Sequence, residues 1–342
     1  MIRAAIVGGT GYGGMELLRL SLGHPELHIT ALTSRSARGP VGEHHAHLRG
    51  FTDLHYSDAS VEDLARSNDL LFFATPHGVA ASQVPGALVA NPQLKVIDLS
   101  GDHRLKDVAV YSAAYGSSHA HPESLAEAVY GLPECGFREA IAGARLVANP
   151  GCHATASLLA TWPLVHAGLV TGRLSVSSVT GSSGSGAAPS AGTHHPWRSA
   201  NFKAYRPLRH QHVPEIVAAL TTMDGTEPGV DFVPHSAPMA RGIAVTAFVP
   251  VSPGDEDEAV STVRGVYEGE PFVRVLDSTP EVVAVSGSNM ADVAAFAGDG
   301  VVVVCATIDN LGKGMAGSAV QNANLLFGLD ERTGLSTPGA AP

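Results

Sequence analysis

The chain has 342 residues, which is more than one small hydrophobic core needs and predicts two domains. Hydrophobic residues make up 44% of it and charged residues 15%, a composition typical of a soluble globular protein. The formal net charge of −11 argues against nucleic acid and anionic membranes as partners. A small phosphorylated ligand is still compatible with this charge, because it needs only a few local cations.

The cysteines and the start of the chain indicate the compartment. Cys135, Cys152 and Cys305 are an odd number without metal-type spacing, so we expect reduced thiols in a cytoplasmic protein. The apolar run at the start stops at Gly8, which predicts a first strand and not a signal peptide. No later apolar run is long enough to span a bilayer.

A glycine turn stands between the first predicted strand and the first predicted helix. Residues 3–7 form a short, mainly apolar run. Gly8, Gly11 and Gly14 follow at three-residue spacing, and residues 15–22 have a helical pattern. Glycines in this place let the backbone approach a pyrophosphate at the helix N-terminus. Strand, turn and helix together predict a dinucleotide site.

The second predicted strand, residues 28–32, indicates which dinucleotide is bound. The acidic residue that usually holds the ribose of NAD is missing there, and Ser34, Arg35 and Arg38 follow instead. A hydroxyl and two guanidinium groups suit a 2′-phosphate, which favours NADP over NAD. Ordinary solvated arginines are the alternative.

Two further strands, residues 69–74 and 95–99, are each followed by a polar loop. Loops at the carboxyl ends of parallel strands line the ligand crevice, so Ser100 and Arg104 are candidates for holding an anionic substrate group. The alternative is that Asp102 and Arg104 form a surface ion pair. Alternating strands and helices in the first half of the chain favour an α/β fold with a doubly wound parallel sheet.

Cys152 is the candidate nucleophile. The pair Pro150-Gly151 predicts a tight turn, and residues 154–164 have helix-forming composition, so Cys152 falls where a turn becomes a helix. Free N–H groups and the helix dipole favour a thiolate there, and also an oxyanion beside it. The alternative is a buried cysteine that acts as a small hydrophobic residue.

A glycine- and serine-rich loop, residues 180–186, follows the next predicted strand. Its many N–H groups, including those of Ser182 and Gly184, suit a phosphate or a close approach to the nicotinamide. A solvated linker is the alternative.

Two histidine-rich segments come next. One contains His194 and His195, and the other contains His210 and His212 with Glu215 three residues further on. The cysteines are too distant in sequence to complete a metal site, so no metal is predicted and a histidine that serves Cys152 as acid and base is favoured. Glu215 is placed to orient or polarise one of these histidines.

The remaining pattern predicts a second domain and a return to the first. Mostly antiparallel strands with few helices indicate an α+β domain. Near the end, residues 309–314 form another glycine-bearing helix start. The predicted domains are residues 1–150, joined by a helix at about 314–330, and residues 151–313.

Taken together, these motifs resemble the N-acetyl-γ-glutamyl-phosphate reductase family of the aspartate-semialdehyde dehydrogenase superfamily over nearly the whole chain. The resemblance rests on GGTGYGGMELLRL, TSR, ATPHG, DLSGDHRL, YGLPE, NPGCHATA, the Gly/Ser loop, HQHVPEI, PMARGI and DNLGKGMAGSAVQN. It implies an NADP-dependent cytoplasmic enzyme of arginine biosynthesis that reduces an acyl phosphate to a semialdehyde through a cysteine thioester. It also implies a dimer or tetramer.

The resemblance implies a role for each site residue. Cys152 would be the nucleophile and His210 the acid/base. The residues implied or predicted to bind substrate are Ser100, Arg104, Asn149, Arg206, Arg209, His212 and Glu215. Those for NADP are Gly8, Thr10, Gly11, Tyr12, Gly14, Ser34, Arg35, Arg38, Ser182, Gly184, Asn310, Lys313 and Gly314.

The chain departs from the family pattern in two places. The family often has a basic residue just after the Gly/Ser loop, where this chain has Ala187 and Ala188, so phosphate would fall to Arg198, Arg206 or Arg209. The segments THHPWR and LRGFTDL resemble the branch that reduces aminoadipyl phosphate on an acidic carrier protein. The net charge of −11 disfavours an acidic protein partner, so N-acetylglutamyl phosphate is the preferred substrate.

A different class of function is a catalytically silent NADP-binding sensor that kept the fold. The presence of both Cys152 and His210 disfavours it.

Overall fold

The computed structural model describes residues 1–221 and 225–340 and divides them into two compact units. The first unit comprises Met1–Pro150 and Met315–Ser336. The second comprises Gly151–Gly314 and a short segment from Thr337 onward. The first boundary between the units therefore falls immediately before Gly151, the residue that precedes Cys152.

The first unit is built on one sheet. Its strands are β1 (Ile2–Val7), β2 (Leu27–Thr33), β3 (Gly39–Pro40), β4 (His55–Ser57), β5 (Leu70–Phe73), β6 (Lys95–Asp98), β7 (Val129–Tyr130) and β8 (Leu146–Ala148). Over the described residues these eight strands run in the order β3-β4-β2-β1-β5-β6-β8-β7. Every neighbouring pair is parallel except β3 with β4. The predicted doubly wound parallel sheet is confirmed.

Helices cover this sheet. They are α1 (Tyr12–Leu22), α2 (Val41–His44), α3 (Val61–Ser67), α4 (Val79–Ala90), α5 (Val108–Tyr115) and α6 (Arg138–Ala142). The central strands are buried on both faces, as the four apolar side chains of β5 show. Phe73, Val84 and Leu88 belong to one apolar cluster between β5 and α4, and each such side chain contributes roughly 1.5–3 kcal/mol when fully buried.

The second unit has a mixed sheet. Its strands are β9 (Leu174–Thr180), β10 (Lys203–Ala204), β11 (Val230–Ser236), β12 (Ile243–Pro250), β13 (Val273–Val275), β14 (Ala291–Ala297) and β15 (Val301–Ile308). Within the described ranges the order is β10-β11-β9-β12-β15-β14-β13. Only β11 with β9 and β13 with β14 are parallel, so this described sheet is mainly antiparallel and the predicted α+β character is confirmed.

The second unit also contains helices, several of which pack against its sheet. They are α7 (Cys152–His166), α8 (His195–Arg198), α9 (Val213–Leu220), α10 (Glu256–Val266) and α11 (Val282–Val285). Helix α7 is buried along nearly its whole length and contacts β12, β15, α9 and α10. After β15, a π-helical turn (Gly312–Ala316) leads into α12 (Gly317–Leu326), which contacts α1, α6 and β6 of the first unit.

Candidate active site

The glycine turn of the first unit requires glycine at two of its positions. Gly8 has φ +91°, and a Cβ there would lie 2.7 Å from the carbonyl oxygen of Ala74. A Cβ on Gly14 would lie 2.8 Å from the carbonyl oxygen of Gly8, so α1 packs directly against the turn. Around a Cβ on Gly11, the N-cap of α1, nothing lies within 4 Å in the described residues. The turn is therefore closed toward the sheet and open at the helix N-terminus, as a pyrophosphate site requires.

Thr10 and Tyr12 flank this opening and are both exposed. Their side chains are thus available beside the helix start where the sequence places the cofactor.

The loop after β2 is held by its own side chains. The hydroxyl of Ser34 accepts the N–H groups of Ser36, at 3.2 Å, and Ala37, at 2.9 Å. The guanidinium of Arg38 donates to the carbonyl oxygens of Ser34 and Ala37. Arg35 is exposed and forms no hydrogen bond or ion pair with the described residues. Arg35 therefore offers an open guanidinium, while Arg38 shapes the loop.

Tyr56 is a buried residue of β4 that the sequence did not single out, and it forms a hydrogen bond with the glycine turn. The Tyr56 hydroxyl donates to the carbonyl oxygen of Gly9 at 3.1 Å, and Nε2 of His45 lies 2.7 Å from the same hydroxyl. Burial raises the pKa of Tyr56 to about 12, so the hydroxyl keeps its proton. No pattern of spacing marks this pair, because β4 and the glycine turn are distant in sequence.

In the loop after β6, the environment of Asp102 differs from the surface ion pair with Arg104 that the sequence left as an alternative. Asp102 is fully buried and accepts the N–H groups of Gly78 and Ala81, so it is not part of a surface ion pair. Burial has the largest influence and would raise the pKa of Asp102. Hydrogen bonding by the His77 side chain, these two backbone donors and the charge of His77 together lower that pKa to about 2. The Ser100 hydroxyl accepts the N–H of Asp102.

Arg104 and Asn149 form hydrogen bonds close to Pro150, where the N-terminal segment of the first unit ends. The guanidinium of Arg104 donates to the carbonyl oxygens of Asn149, at 2.8 Å, and Leu99, at 3.1 Å. Asn149 is fully buried, its amide nitrogen donates to the carbonyl oxygen of Met315, and its amide oxygen accepts from Asn322. Its predicted role in substrate binding is corrected, because both ends of its amide are used inside the protein.

In the second unit, Cys152 is the first residue of α7 and is partly exposed. The N-cap Gly151 donates its N–H to the buried carboxylate of Glu215 at 2.7 Å. The backbone of Gly314 approaches so closely that a Cβ there would lie 2.8 Å from the Cβ of Cys152. The thiol is thus held at a helix N-terminus, where a thiolate is favoured.

Aromatic rings surround the residue after the nucleophile. The His153 ring lies 5.3 Å from that of His210, 5.9 Å from that of His212 and 5.8 Å from that of Phe232. Its Nδ1 lies 2.6 Å from the hydroxyl oxygen of Ser178, and its Nε2 lies 2.8 Å from that of Tyr205. Sequence reasoning missed His153 and Tyr205. The one available signal was that His153 follows the candidate nucleophile directly.

His210 and His153 are both neutral at pH 7. Burial lowers the pKa of His210 to about 4, and the charge of Arg206 adds to this effect. Burial, and next the charge of His210, lowers the pKa of His153 to about 3. Nδ1 of His210 accepts the backbone N–H of His212 at 3.2 Å, which assigns the ring proton of His210 to Nε2.

Glu215 lies on the first turn of α9, and the contact that places it in the site is its bond to Gly151. It therefore anchors the backbone before Cys152, a role that the sequence did not predict. His212 is the N-cap residue of α9 and is buried beside His210, with the two rings 4.7 Å apart.

Three arginines lie in the segment before α9, and they differ in exposure. Arg206 and Arg209 are exposed, and Arg206 donates to the side chain of Gln211 at 3.2 Å. Arg206 has φ +44° and Leu208 has φ +60°, values that are rare outside glycine. Arg198, the last residue of α8, is buried.

The Gly/Ser loop is part of the second unit and is not a linker between the two units. Ser182 donates its N–H to the carbonyl oxygen of Met239, and Gly184 donates to that of Gly181. Residues 182–185 form a 3-10 turn within the second unit. These two N–H groups form hydrogen bonds within the protein, and a contact of the loop with the cofactor stays a prediction.

Two predicted cofactor residues are interior residues of the second unit. The amide oxygen of Asn310 accepts the N–H of Gly242 at 2.7 Å, and its side chain also bonds Ser183. Lys313 is fully buried, with its ammonium 5.6 Å from the ring centroid of Phe272. Direct contact of these two side chains with the cofactor stays a prediction, and the contacts described here are ones within the protein. Gly314 instead contributes the close approach to Cys152.

The two histidine-rich segments of the sequence differ in their exposure to solvent. His194 and His195 are exposed, whereas His210 and His212 are buried. Among the residues that the structure describes, no group of three or more His, Cys, Asp or Glu side chains is arranged to hold a metal ion. In the same part of the chain, no helix is both long and apolar enough to cross a membrane.

Comparison with known proteins matches both units. The family described as semialdehyde dehydrogenase, NAD binding domain, matches residues 3–144, and the one described as semialdehyde dehydrogenase, dimerisation domain, matches residues 152–310. The N-acetyl-gamma-glutamyl-phosphate reductases of Marinobacter nauticus and Alkalilimnicola ehrlichii are 44% and 46% identical, and each alignment covers all of both chains.

Among solved structures, aspartate semialdehyde dehydrogenase II from Vibrio cholerae is similar with a TM-score of 0.71 and 18% identity. The match covers 96% of this chain and 98% of that one. At 18% identity, this similarity shows only that the two proteins share a fold.

Proposed function

The chain belongs to the N-acetyl-γ-glutamyl-phosphate reductase family, and on this basis we propose that it reduces N-acetyl-L-glutamyl 5-phosphate with NADPH. The products are N-acetyl-L-glutamate 5-semialdehyde and phosphate, a step of arginine biosynthesis. The observation that carries this proposal is the placement of Cys152 at the start of α7, directly before His153, whose ring lies 5.3 Å from that of His210. Full-length identity of 44–46% with reductases of that name supports the choice of substrate.

The first unit fits NADP. The turn through Gly8 and Gly14 is closed toward the sheet and open at the N-terminus of α1, and Thr10, Gly11 and Tyr12 border the opening. The exposed guanidinium of Arg35 suits a 2′-phosphate, and Ser34 and Arg38 hold the loop that carries it. When bound, NADPH supplies the hydride that reduces the thioester carbonyl.

Cys152 provides covalent catalysis. Its thiolate attacks the acyl carbon, the bond from that carbon to the phosphate oxygen breaks, and phosphate leaves with a thioester remaining. After reduction, the carbon–sulfur bond breaks, which releases the semialdehyde and restores the thiolate. Backbone N–H groups at the start of α7 stabilise the negative oxygen of each tetrahedral species.

His210 acts on the proton in a neutral form. With its pKa at about 4 and its proton on Nε2, the ring donates a hydrogen bond to the oxygen that gains negative charge and exchanges the proton as the thiohemiacetal collapses. His212 supplies the backbone N–H that selects this tautomer. We retain Ser100, Arg104, Arg206 and Arg209 as proposed contacts of the anionic substrate groups.

A homo-oligomer, either dimer or tetramer, is proposed for the working enzyme in the cytoplasm. The name of the family that matches residues 152–310, a dimerisation domain, supports self-association. No acidic carrier protein is required by this proposal, because the substrate is a free small molecule.

The proposal is tested in the reverse direction with N-acetylglutamate semialdehyde, NADP and phosphate. We expect phosphate-dependent formation of NADPH by the natural chain and its loss in Cys152→Ser. Cys305→Ser is the matched control, because Cys305 lies on β15 and is no part of the proposed site. If Cys152→Ser stays fully active, the thioester route is wrong, and if the natural chain binds NADP without turnover, the sensor is the better explanation. Activity only with carrier-linked aminoadipate semialdehyde would contradict the proposed substrate.

A further inference from the structure

The second unit contains a buried arginine with too few acceptors. Arg198 is 9% exposed, and its side chain has one hydrogen bond, from Nη2 to the carbonyl oxygen of Thr180 at a long 3.5 Å. Its Nε is buried and has no acceptor within the described residues. A guanidinium carries five N–H donors and stays charged, so burying it without an anion is unfavourable.

No carboxylate compensates this charge. Arg198 forms no ion pair with any Asp or Glu of the described residues. The buried carboxylates of Glu215 and Asp309 are used elsewhere, by Gly151 and by Arg241 respectively. The positive charge of Arg198 therefore has no carboxylate partner among the described residues.

Arg198 lies beside the proposed catalytic residues. Thr180, its one acceptor, is the last residue of β9 and directly precedes the Gly/Ser loop. The hydroxyl of Tyr205 is under the electrostatic influence of both Arg198 and Cys152, and it lies 2.8 Å from Nε2 of His153. Arg198 and His153 thus both contact the carboxyl end of β9, Arg198 through Thr180 and His153 through Ser178.

We propose that Arg198 binds the phosphoryl group of the acyl phosphate substrate, and inorganic phosphate in the reverse reaction. This inference rests on the proposed function. Arg198 donates to Thr180, where β9 ends and the Gly/Ser loop begins. Its planar fork of donors matches two phosphate oxygens at once.

The two neighbouring arginines are weaker candidates. Arg206 and Arg209 are exposed, so water and salt screen their charge, and Arg206 already donates to Gln211. A guanidinium that is already withdrawn from water loses less hydration when phosphate binds, and the attraction in the buried site is stronger.

The test is the phosphate dependence of semialdehyde oxidation in Arg198→Gln and Arg198→Lys. Loss of charge-assisted hydrogen bonds predicts that the KM for phosphate rises about ten- to a hundredfold in Arg198→Gln, with a smaller rise in Arg198→Lys, which keeps the charge but not the fork. The KM for the semialdehyde should change little. Arg264→Gln is the control, because Arg264 is 54% exposed on α10 and pairs with Asp277.

Two outcomes would overturn the proposal. An unchanged KM for phosphate removes Arg198 from phosphate binding. A rise confined to the KM for the semialdehyde would assign Arg198 to a carboxylate of the substrate instead.

A second measurement does not depend on turnover. Inorganic phosphate should slow alkylation of Cys152 by iodoacetamide in the natural chain and should raise its Tm, and both effects should be lost in Arg198→Gln. A purely structural role would change Tm without changing its response to phosphate. If the natural chain binds phosphate in this way but reduces no acyl phosphate, the proposed function fails and this site stands. If the enzyme is active and Arg198→Gln responds to phosphate like the natural chain, the site is wrong.

Discussion

The carboxylate of Glu215 accepts the backbone N–H of Gly151 at 2.7 Å, and Gly151 directly precedes Cys152. Glu215 is 1% exposed and lies in the first turn of α9, whereas Gly151 is the N-cap of α7. One buried carboxylate thus joins two helix starts and places negative charge at the positive end of the α7 dipole. The position of the thiol depends on this bond.

Replacing Glu215 by Ala should therefore reduce both stability and turnover. It leaves the buried N–H of Gly151 without its acceptor, which costs about 1–3 kcal/mol in the free energy of unfolding. A displaced nucleophile lowers kcat by as much as roughly a hundredfold. Glu215→Gln retains an acceptor and should lose less of both. Urea unfolding and steady-state rates provide the measurement, and equal loss in the two variants would show that charge, not the hydrogen bond, is what matters.

Gly314 should not tolerate a methyl group. A Cβ there would lie 2.8 Å from the Cβ of Cys152, so Gly314→Ala must displace the nucleophile or the π-helical turn. We expect kcat to fall by about tenfold or more with a smaller change in the KM for NADPH. Gly265→Ala is the matched control, because a Cβ at that position in α10 meets nothing within 4 Å among described atoms and should stabilise the helix by about 0.5–1 kcal/mol. An active Gly314→Ala enzyme would mean that this approach is not needed for the reaction.

The buried histidines make stability depend on pH. The pKa of His210 is about 4 in the folded chain and about 6.5 when unfolded, so the unfolded chain binds more protons between these values. The contribution of His210 to the free energy of unfolding is therefore fully present above its pKa in the unfolded chain. This contribution is lost as the pH falls from there through its pKa in the folded chain. For His210 the loss between pH 7 and pH 5 is about 2 kcal/mol.

His210→Asn isolates this contribution. Urea unfolding at pH 7 and pH 5 should show a smaller pH-dependent loss in that variant than in the natural chain. His195→Asn, which replaces an exposed histidine, should lose as much stability as the natural chain. If His210→Asn keeps the full pH dependence, His210 is not the buried neutral ring described above, and His153, whose pKa is also lowered, is the next to replace.

We expect Arg35 to determine the preference of the enzyme for NADPH over NADH. Its guanidinium is exposed and engages no described residue, so Arg35→Ala is expected to raise the KM for NADPH about ten- to a hundredfold through loss of a charge-assisted bond. The KM for NADH, which lacks the 2′-phosphate, should not change. Arg66→Ala is the control, because Arg66 is an exposed arginine of the first unit that pairs with Asp63. Equal effects on both cofactors would contradict recognition of the 2′-phosphate by Arg35.

Features that depend on short stretches of chain were determined by the sequence alone. The strand, glycine turn and helix at the start, the parallel sheet of the first unit, the mainly antiparallel second sheet and the position of Cys152 at a helix start all follow from periodicity and from glycine and proline. These signals are local, because they reflect backbone preferences and the face that each element buries.

Tertiary structure decided which side chains remain available for chemistry. Asn149, Asn310 and Lys313 sit in motifs that suggested ligand contacts, yet all three are buried and serve the interior. Tyr56 and Tyr205 had no motif, and their buried hydrogen bonds give them their importance. The sequence offered Arg198 together with Arg206 and Arg209, and burial distinguishes it from the other two. The physical reason is that a polar group's role depends on its hydrogen-bond partners and its exclusion from water. Both arise from segments that are distant in sequence and meet only in the folded chain.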